Sequence, residues 1–314
     1  MIALRQDRLH GAVAAALGEI APGLTEARLG CWRVDCGENL RLTATLDDEW
    51  FQLRAPFAAA HLHGEAVPRC AWEALLRNGL LPGGAKLVTD PDHSVIHAAL
   101  ELPLDLDATP PAEIAGDALG NTLTAKINRA VDDLKQAARP HLNCNNRAAR
   151  CHSTAEAAEL PALCAAAGWP STPRNEGRIA VQLEVPHGYA QAIVAWDDGL
   201  RATVDLYRTE HSLSPSSRQA IAVMLLQLGG TARAVRPAVH SESGRDLLVL
   251  QAYLGPHPSA RELDRILSGL SVAAGMCQRE IGLLSDEKIS SRYLSARGWS
   301  AIGGVPASSP VRFT

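Results

Sequence analysis

Aromatic residues make up only 4% of this 314-residue chain. Proteins that bind single-stranded nucleic acid stack bases on aromatic side chains, so this low content argues against such a role. The 30 basic and 34 acidic side chains give a formal net charge of −4, which argues against the broad basic field of a nucleic-acid binder. We therefore expect no nucleic-acid partner.

Long apolar runs are missing as well. No stretch of 18 uncharged apolar residues occurs, so we expect no transmembrane segment and no membrane insertion. The N-terminal segment contains Arg5, Asp7 and Arg8, which favour an amphipathic helix over an export signal. Seven cysteines at irregular spacing are then expected to be reduced thiols in a cytoplasmic protein.

The common catalytic and nucleotide-binding motifs are also absent. The sequence contains no Walker loop, no GxGxxG after a predicted strand, no HExxH and no GxSxG. We interpret the pairs Gly83-Gly84 and Gly229-Gly230 as helix C-cap or turn glycines rather than phosphate cradles. These absences remove the usual routes to catalysis and favour a non-enzymatic protein.

What the sequence does contain is an internal repeat with an offset of about 150 residues. The matching pairs are Leu9–Glu19 with Leu160–Trp169, Asp47-Asp48 with Asp197-Asp198, and Leu75–Gly79 with Leu225–Gly229. Because the order and anchors of the segments keep nearly one offset, we predict two copies of one module.

Each copy follows the pattern helix, two or three strands, helix, two strands, helix. Apolar and polar residues alternate in LRLTATL and in LRATVDLY, which predicts half-buried strands. Asp197-Asp198-Gly199 suits a hairpin turn, because glycine tolerates the positive φ that such turns require. Short strands joined by hairpins predict antiparallel sheets with helices packed on one face, and therefore an α+β fold.

Domain boundaries follow from composition. We place the first module at residues 1–138, a linker at 139–154, the second module at 155–289 and a tail at 290–314. The linker is rich in polar turn formers. The tail is rich in glycine, proline and serine and is predicted to have no core of its own, although Trp299 and Phe313 could dock it.

The run Trp72–Leu106 resembles the type III secretion chaperone fold. It contains a Leu-Leu pair before Asn78-Gly79, the turn Asp90-Pro91-Asp92, and a strand ending in Leu102-Pro103-Leu104 before a long helix. The second copy keeps the element order but has Ala252-Tyr253-Leu254 in place of the Leu-Pro-Leu ending. The motifs are made of hydrophobic spacing, so they indicate a fold more firmly than a function.

The resemblance implies a function in binding. Members of that family are small homodimers that hold an extended segment of a secreted protein, so a fused pair would be a single-chain pseudo-dimer chaperone or adaptor. Its partner would be another protein, either a secreted effector or an assembly subunit. Main-chain pairing at sheet edges and apolar pockets would bind the segment.

Five apolar side chains are the candidates for contacting that partner. We expect them to be exposed on strands or helix ends, and the alternative is that they belong to the core. They are Trp50, Phe51, Phe57, Trp196 and Tyr207.

The predicted linker carries four potential zinc ligands, His141, Cys144, Cys151 and His152. Their spacing is not that of a standard zinc finger, and the adjacent Cys151 and His152 would strain to share one metal. We therefore expect no cofactor. A zinc-dependent enzyme or sensor is the alternative function, as is a subunit of a larger assembly on which the tail docks.

Overall fold

The computed structural model describes residues 2–21, 23–37, 40–47, 49–57, 66–90, 95–104, 118–139, 154–174, 177–186, 188–196, 199–208, 213–242, 245–255 and 257–299. The first module consists of α1 (Ile2–Ile20), β1 (Thr25–Arg28), β2 (Cys31–Asp35), β3 (Arg41–Asp47), β4 (Trp50–Pro56), α2 (Ala66–Asn78), β5 (Lys86–Thr89), β6 (Ile96–Pro103) and α3 (Ala118–Ala138). The second consists of α4 (Thr154–Ala166), β7 (Ser171–Pro173), β8 (Ile179–Val185), β9 (Gly188–Trp196), β10 (Leu200–Arg208), α5 (Pro215–Thr231), β11 (Arg236–Glu242), β12 (Arg245–Leu254), α6 (Ala260–Leu284) and α7 (Glu287–Ser295).

The strands form two six-stranded antiparallel sheets of the same topology. The order is β1-β2-β3-β4-β6-β5 in the first and β7-β8-β9-β10-β12-β11 in the second. Element by element, the second set repeats the first, and α7 is then added at its end. The predicted α+β class is confirmed, and the repeated topology agrees with two tandem modules.

Alternating residue types explain why the strands form and which face they bury. In β3, Leu42 and Ala44 are buried while Arg41 and Thr43 are exposed. Successive side chains of a strand point to opposite faces, so this alternation fixes which face of the sheet meets the helices. In β3, the alternation of apolar and polar residues that the sequence predicted therefore places the apolar side chains in the core.

Two local features shape the second module, and the sequence predicted the first of them. Gly199 starts the β10 side of the hairpin with a φ of 136°, a conformation that favours glycine. Helix α6 begins after Ser259, whose side chain accepts from the Glu262 amide while the Glu262 carboxylate accepts from the Ser259 amide. This capping box satisfies two backbone donors that a helix start would otherwise leave unpaired.

The two modules share one continuous hydrophobic core. Helices α2 and α5 pack against each other, and each of them contacts the edge strands β5 and β11. The edges β5 and β11 are therefore covered by the neighbouring module, whereas β1 and β7 form the opposite edges of the two sheets. Burying these edges removes backbone groups that would otherwise pair with other chains.

The structure departs from the predicted tail at its beginning. Helix α7 continues to Ser295 and packs on α5 and α6. Ser290 and Leu294 are fully buried, and Trp299 is 9% exposed. The predicted tail therefore begins with a segment that packs on the second module through Ser290, Leu294 and Trp299.

None of the described helices is both long and apolar enough to cross a bilayer. The five cysteines within the described ranges are free thiols, with Cys31 and Cys36 partly buried and the others fully buried. Burial raises the pKa of Cys164 to about 11 and that of Cys277 to about 12, so these thiols stay protonated at neutral pH.

Candidate functional site

The side chain of Lys86 lies at the boundary between the two modules and is 1% exposed. Its Nζ donates to Glu101 Oε2 at 2.7 Å within the first module. Three backbone carbonyl oxygens of the second module accept from the same Nζ, those of Gly229, Ala232 and Val235 at 2.6, 3.1 and 3.2 Å. Burial lowers the pKa of Lys86, and the attraction of Glu101 opposes that shift.

Arg236 makes the reciprocal set of contacts. It is 4% exposed, and its guanidinium donates to Gln251 Oε1 within the second module at 3.2 Å from Nε and 3.0 Å from NH2. NH1 reaches three carbonyl oxygens of the first module, those of Leu81, Gly83 and Ala85 at 2.9, 2.9 and 3.0 Å. Each module therefore inserts one cation among backbone carbonyls of the other.

These contacts are related by the sequence repeat. Lys86 and Arg236 are 150 positions apart, as are their partners Glu101 and Gln251. An interface in which the same patch of each unit contacts the other is the isologous type found in two-fold symmetric dimers. The contacts between the two modules are therefore reciprocal at repeat-related positions.

A cleft of about 460 Å³ opens between the modules beside this interface. It lies where the equivalent strands β6 and β12 end, with α3 along one side and the first turn of α6 at the other. Its volume falls in the range of about 300–1,000 Å³ that is usual for ligand sites. It is the candidate functional site.

The walls of the cleft are mainly apolar. Leu100, Leu102 and Pro103 of β6 line it together with Leu254 of β12. Helix α3 contributes Ala125 among other residues, and its short side chain leaves room that a larger one would fill. Such walls suit apolar side chains of a ligand.

Charged groups lie where α3 meets the second module. Lys126 Nζ of α3 is 2.7 Å from Glu262 Oε1 of α6. The Arg129 guanidinium lies over the Tyr253 ring, 5.6 Å from its centroid, in a cation–π contact. Asp133, 2% exposed, also lines the cleft. These contacts join the modules and leave polar groups at the border of an apolar space.

The structure does not bring the five predicted partner-binding residues together. Phe51 and Phe57 are 0% and 2% exposed, so their predicted exposure is wrong. Phe51 belongs to the face of β4 that packs on the core, because it lies opposite Leu46 of β3 and Leu102 of β6.

The other three predicted residues are half-buried against the core. Trp50 pairs with Pro103, a cleft residue, in the β4–β6 ladder, and the Arg233 guanidinium lies 5.7 Å from its ring centroid. Trp196 and Tyr207 lie near the ends of β9 and β10 in the second sheet. Trp50 and Phe51 are thus the two predicted residues that pair with cleft residues of β6, and Phe51 does so from the buried face.

The four potential zinc ligands, His141, Cys144, Cys151 and His152, lie outside the described residues. In the ranges that the structure describes, no group of three or more histidine, cysteine or acidic side chains is arranged to hold a metal ion. The zinc alternative stays a prediction.

The polar and charged residues that line the cleft were not among the site residues predicted from the sequence. Tyr253 stands where the first copy has Pro103, a difference that was visible in the sequence but was not interpreted as functional. Lys126 and Arg129 carried no such signal, since helical spacing does not show which cations meet another module.

Comparison of the chain with protein-family models, with curated proteins and with solved structures finds no match. The resemblance to secretion chaperones therefore stays a prediction. The reciprocal interface and the cleft are the observations from which a function can be proposed.

Proposed function

We propose that this protein is a non-enzymatic binding protein, a single-chain pseudo-dimer whose inter-module cleft holds an apolar part of an extended segment of a partner protein. The observation that carries the proposal is the cleft of about 460 Å³ between equivalent strand ends of the two modules. Ligand sites occur preferentially at such domain boundaries.

The contacts of the cleft support recognition rather than chemistry. Lys126 is ion-paired with Glu262, and Arg129 stacks on Tyr253. Charged groups held in this way orient a ligand and select it, while the apolar walls supply the free energy of burial.

Fusion of the modules has a physical advantage for such a site. Association of the halves is intramolecular, so the cleft does not depend on protein concentration. The proposal extends to the class implied by the resemblance, a cytoplasmic chaperone or adaptor for a secreted protein.

A bulky side chain on α3 tests the proposal. Ala125 is exposed and lines the cleft, so Ala125→Phe adds a ring to this space without burying it in the core. Asn128, also exposed on α3 but outside the cleft, provides the matched control Asn128→Phe. Both variants are first compared with the wild type by thermal unfolding.

The measurement is affinity capture from an extract of the source cells, read by quantitative mass spectrometry. We expect a protein that wild type and Asn128→Phe retain and that Ala125→Phe loses. Retention of the same proteins by all three forms, or of none by any, would contradict the proposal.

A further inference from the structure

The charged side chains around the cleft differ in how accessible they are. Lys126 and Arg129 are half-buried, whereas Asp133 and Glu262 are each 2% exposed. A segment entering the cleft therefore meets cations first, although the lining contains acids as well.

Glu262 is already used by the fold. Its Oε1 accepts from Lys126 Nζ at 2.7 Å, and its Oε2 accepts from the Ser259 amide at 3.0 Å as part of the α6 capping box. An ammonium group has three donors, and Glu262 takes one of those of Lys126. Lys126 thus has donors for a further acceptor at the cleft.

More cations lie near this point on α6. Arg261 and Arg265 both pair with Glu49, with NH2 of Arg261 at 2.8 Å from its carboxylate. Arg265 also donates to the carbonyl oxygen of Leu104, directly after β6, at 3.1 Å. These contacts tie α6, which carries Glu262, to the end of β6 beside the cleft.

We infer that the partner segment is acidic and apolar: it places an aliphatic or aromatic side chain in the cleft and a neighbouring aspartate or glutamate carboxylate on Lys126. The inference rests on the proposed function and specifies its ligand. Burial of the apolar side chain supplies affinity, and the carboxylate selects among apolar segments. A basic side chain in the same place would meet the Lys126 ammonium, which offers donors and no acceptor.

The test uses the full chain and a phage-displayed library of random 12-residue peptides. The library is panned against wild type, and bound peptides are counter-screened on Ala125→Phe and on Asn128→Phe. Peptides that need the open cleft bind wild type and Asn128→Phe but not Ala125→Phe. Their sequences are then scored for aspartate or glutamate next to an aliphatic or aromatic residue.

Selected peptides are resynthesised with the acid replaced by its amide, and their dissociation constants for wild-type protein are compared. Losing one charge-assisted hydrogen bond should weaken binding about tenfold. The difference should shrink at high salt, because the groups are partly exposed. Changing the peptide rather than Lys126 leaves the Lys126–Glu262 contact and the fold intact.

The outcomes separate the inference from the proposed function. Enrichment of acidic, cleft-dependent peptides with the amide penalty supports the inference. Cleft-dependent peptides without an acidic preference, or with equal affinity as acid and amide, overturn the inference and leave the proposed function standing. Absence of any cleft-dependent peptide overturns the proposed function itself.

Discussion

At the scale of single residues, Lys86 holds the most consequential position. Its ammonium is 1% exposed and joins Glu101 to three carbonyl groups of the other module. Lys86→Ala leaves the Glu101 carboxylate buried without this cation, so the free energy of unfolding should fall by about 3–5 kcal/mol. Urea denaturation measures this loss.

Two further variants give that measurement its controls. Lys135→Ala removes a lysine of α3 whose ammonium is 3.9 Å from Asp132 on the surface, and a change within about 0.5 kcal/mol is expected. The pair Lys86→Met and Glu101→Gln removes both charges and should lose less than Lys86→Ala. An Lys86→Ala protein as stable as Lys135→Ala would show that the buried contact does not hold the modules together.

We expect His97 to make the stability depend on pH. It is 8% exposed, and burial lowers its pKa below the ordinary 6.5, although Asp90 lies 3.6 Å away and opposes the shift. The unfolded chain therefore gains a proton below pH 6.5 while the folded protein resists it. Stability should be highest above pH 6.5 and fall as the pH drops towards the folded-state pKa, by up to about 1.4 kcal/mol per pH unit.

His97→Gln tests this sign. The variant should show a shallower decline of the free energy of unfolding between pH 7.5 and 5 than the wild type. Comparing slopes rather than absolute values removes any loss of packing that is independent of pH. A variant with the wild-type slope would mean that another group causes the dependence.

At the scale of elements, the last turn of α5 packs closely on strands of both modules. A Cβ at Gly230 would lie 2.5 Å from the carbonyl oxygen of Thr89, and a Cβ at Gly229 would lie 2.8 Å from Pro237 Cδ. These glycines were predicted as helix C-cap or turn residues. Instead they belong to the last turn of α5 and let it approach β5 and β11.

Two glycine-to-alanine changes separate the effect of this close packing of α5 from the effect of intrinsic helix propensity. Gly230→Ala should destabilise by about 1–3 kcal/mol, since β5 is paired with β6 and its backbone cannot simply withdraw. Gly282→Ala in α6 meets no atom within 4 Å and should stabilise by about 0.5–1 kcal/mol. Chemical unfolding of both variants is the measurement. Equal shifts in both would refute the close approach.

Elements could be predicted from the sequence wherever their cause is local. Strand alternation and the hairpin glycine Gly199 act within a few residues, and the repeat transferred the assignments from one module to the other. Which face of a strand is buried is not decided by the neighbouring residues in the sequence. Trp50 and Phe51 are neighbours of similar chemistry, and the register with β3 and β6 decides that Phe51 enters the core.

At the scale of the whole molecule, the tandem arrangement was accessible from sequence, whereas the site was not. Lys86 and Arg236 bind backbone carbonyl oxygens of the other module, and carbonyls are present at every residue. No pattern of side chains therefore indicates which ones are used. The cleft arises from the relative placement of β6, β12 and α3, which only the assembled modules define.

The claim on which the account depends is that the two modules form one unit through their reciprocal interface. Native-state hydrogen exchange of Lys86→Ala tests it most directly, with Lys135→Ala as control. The account predicts that the free energy of exchange falls in β5 and, by a similar amount, in β11 of the other module. Loss of protection confined to the first module, with β11 exchanging as in the wild type, would contradict it.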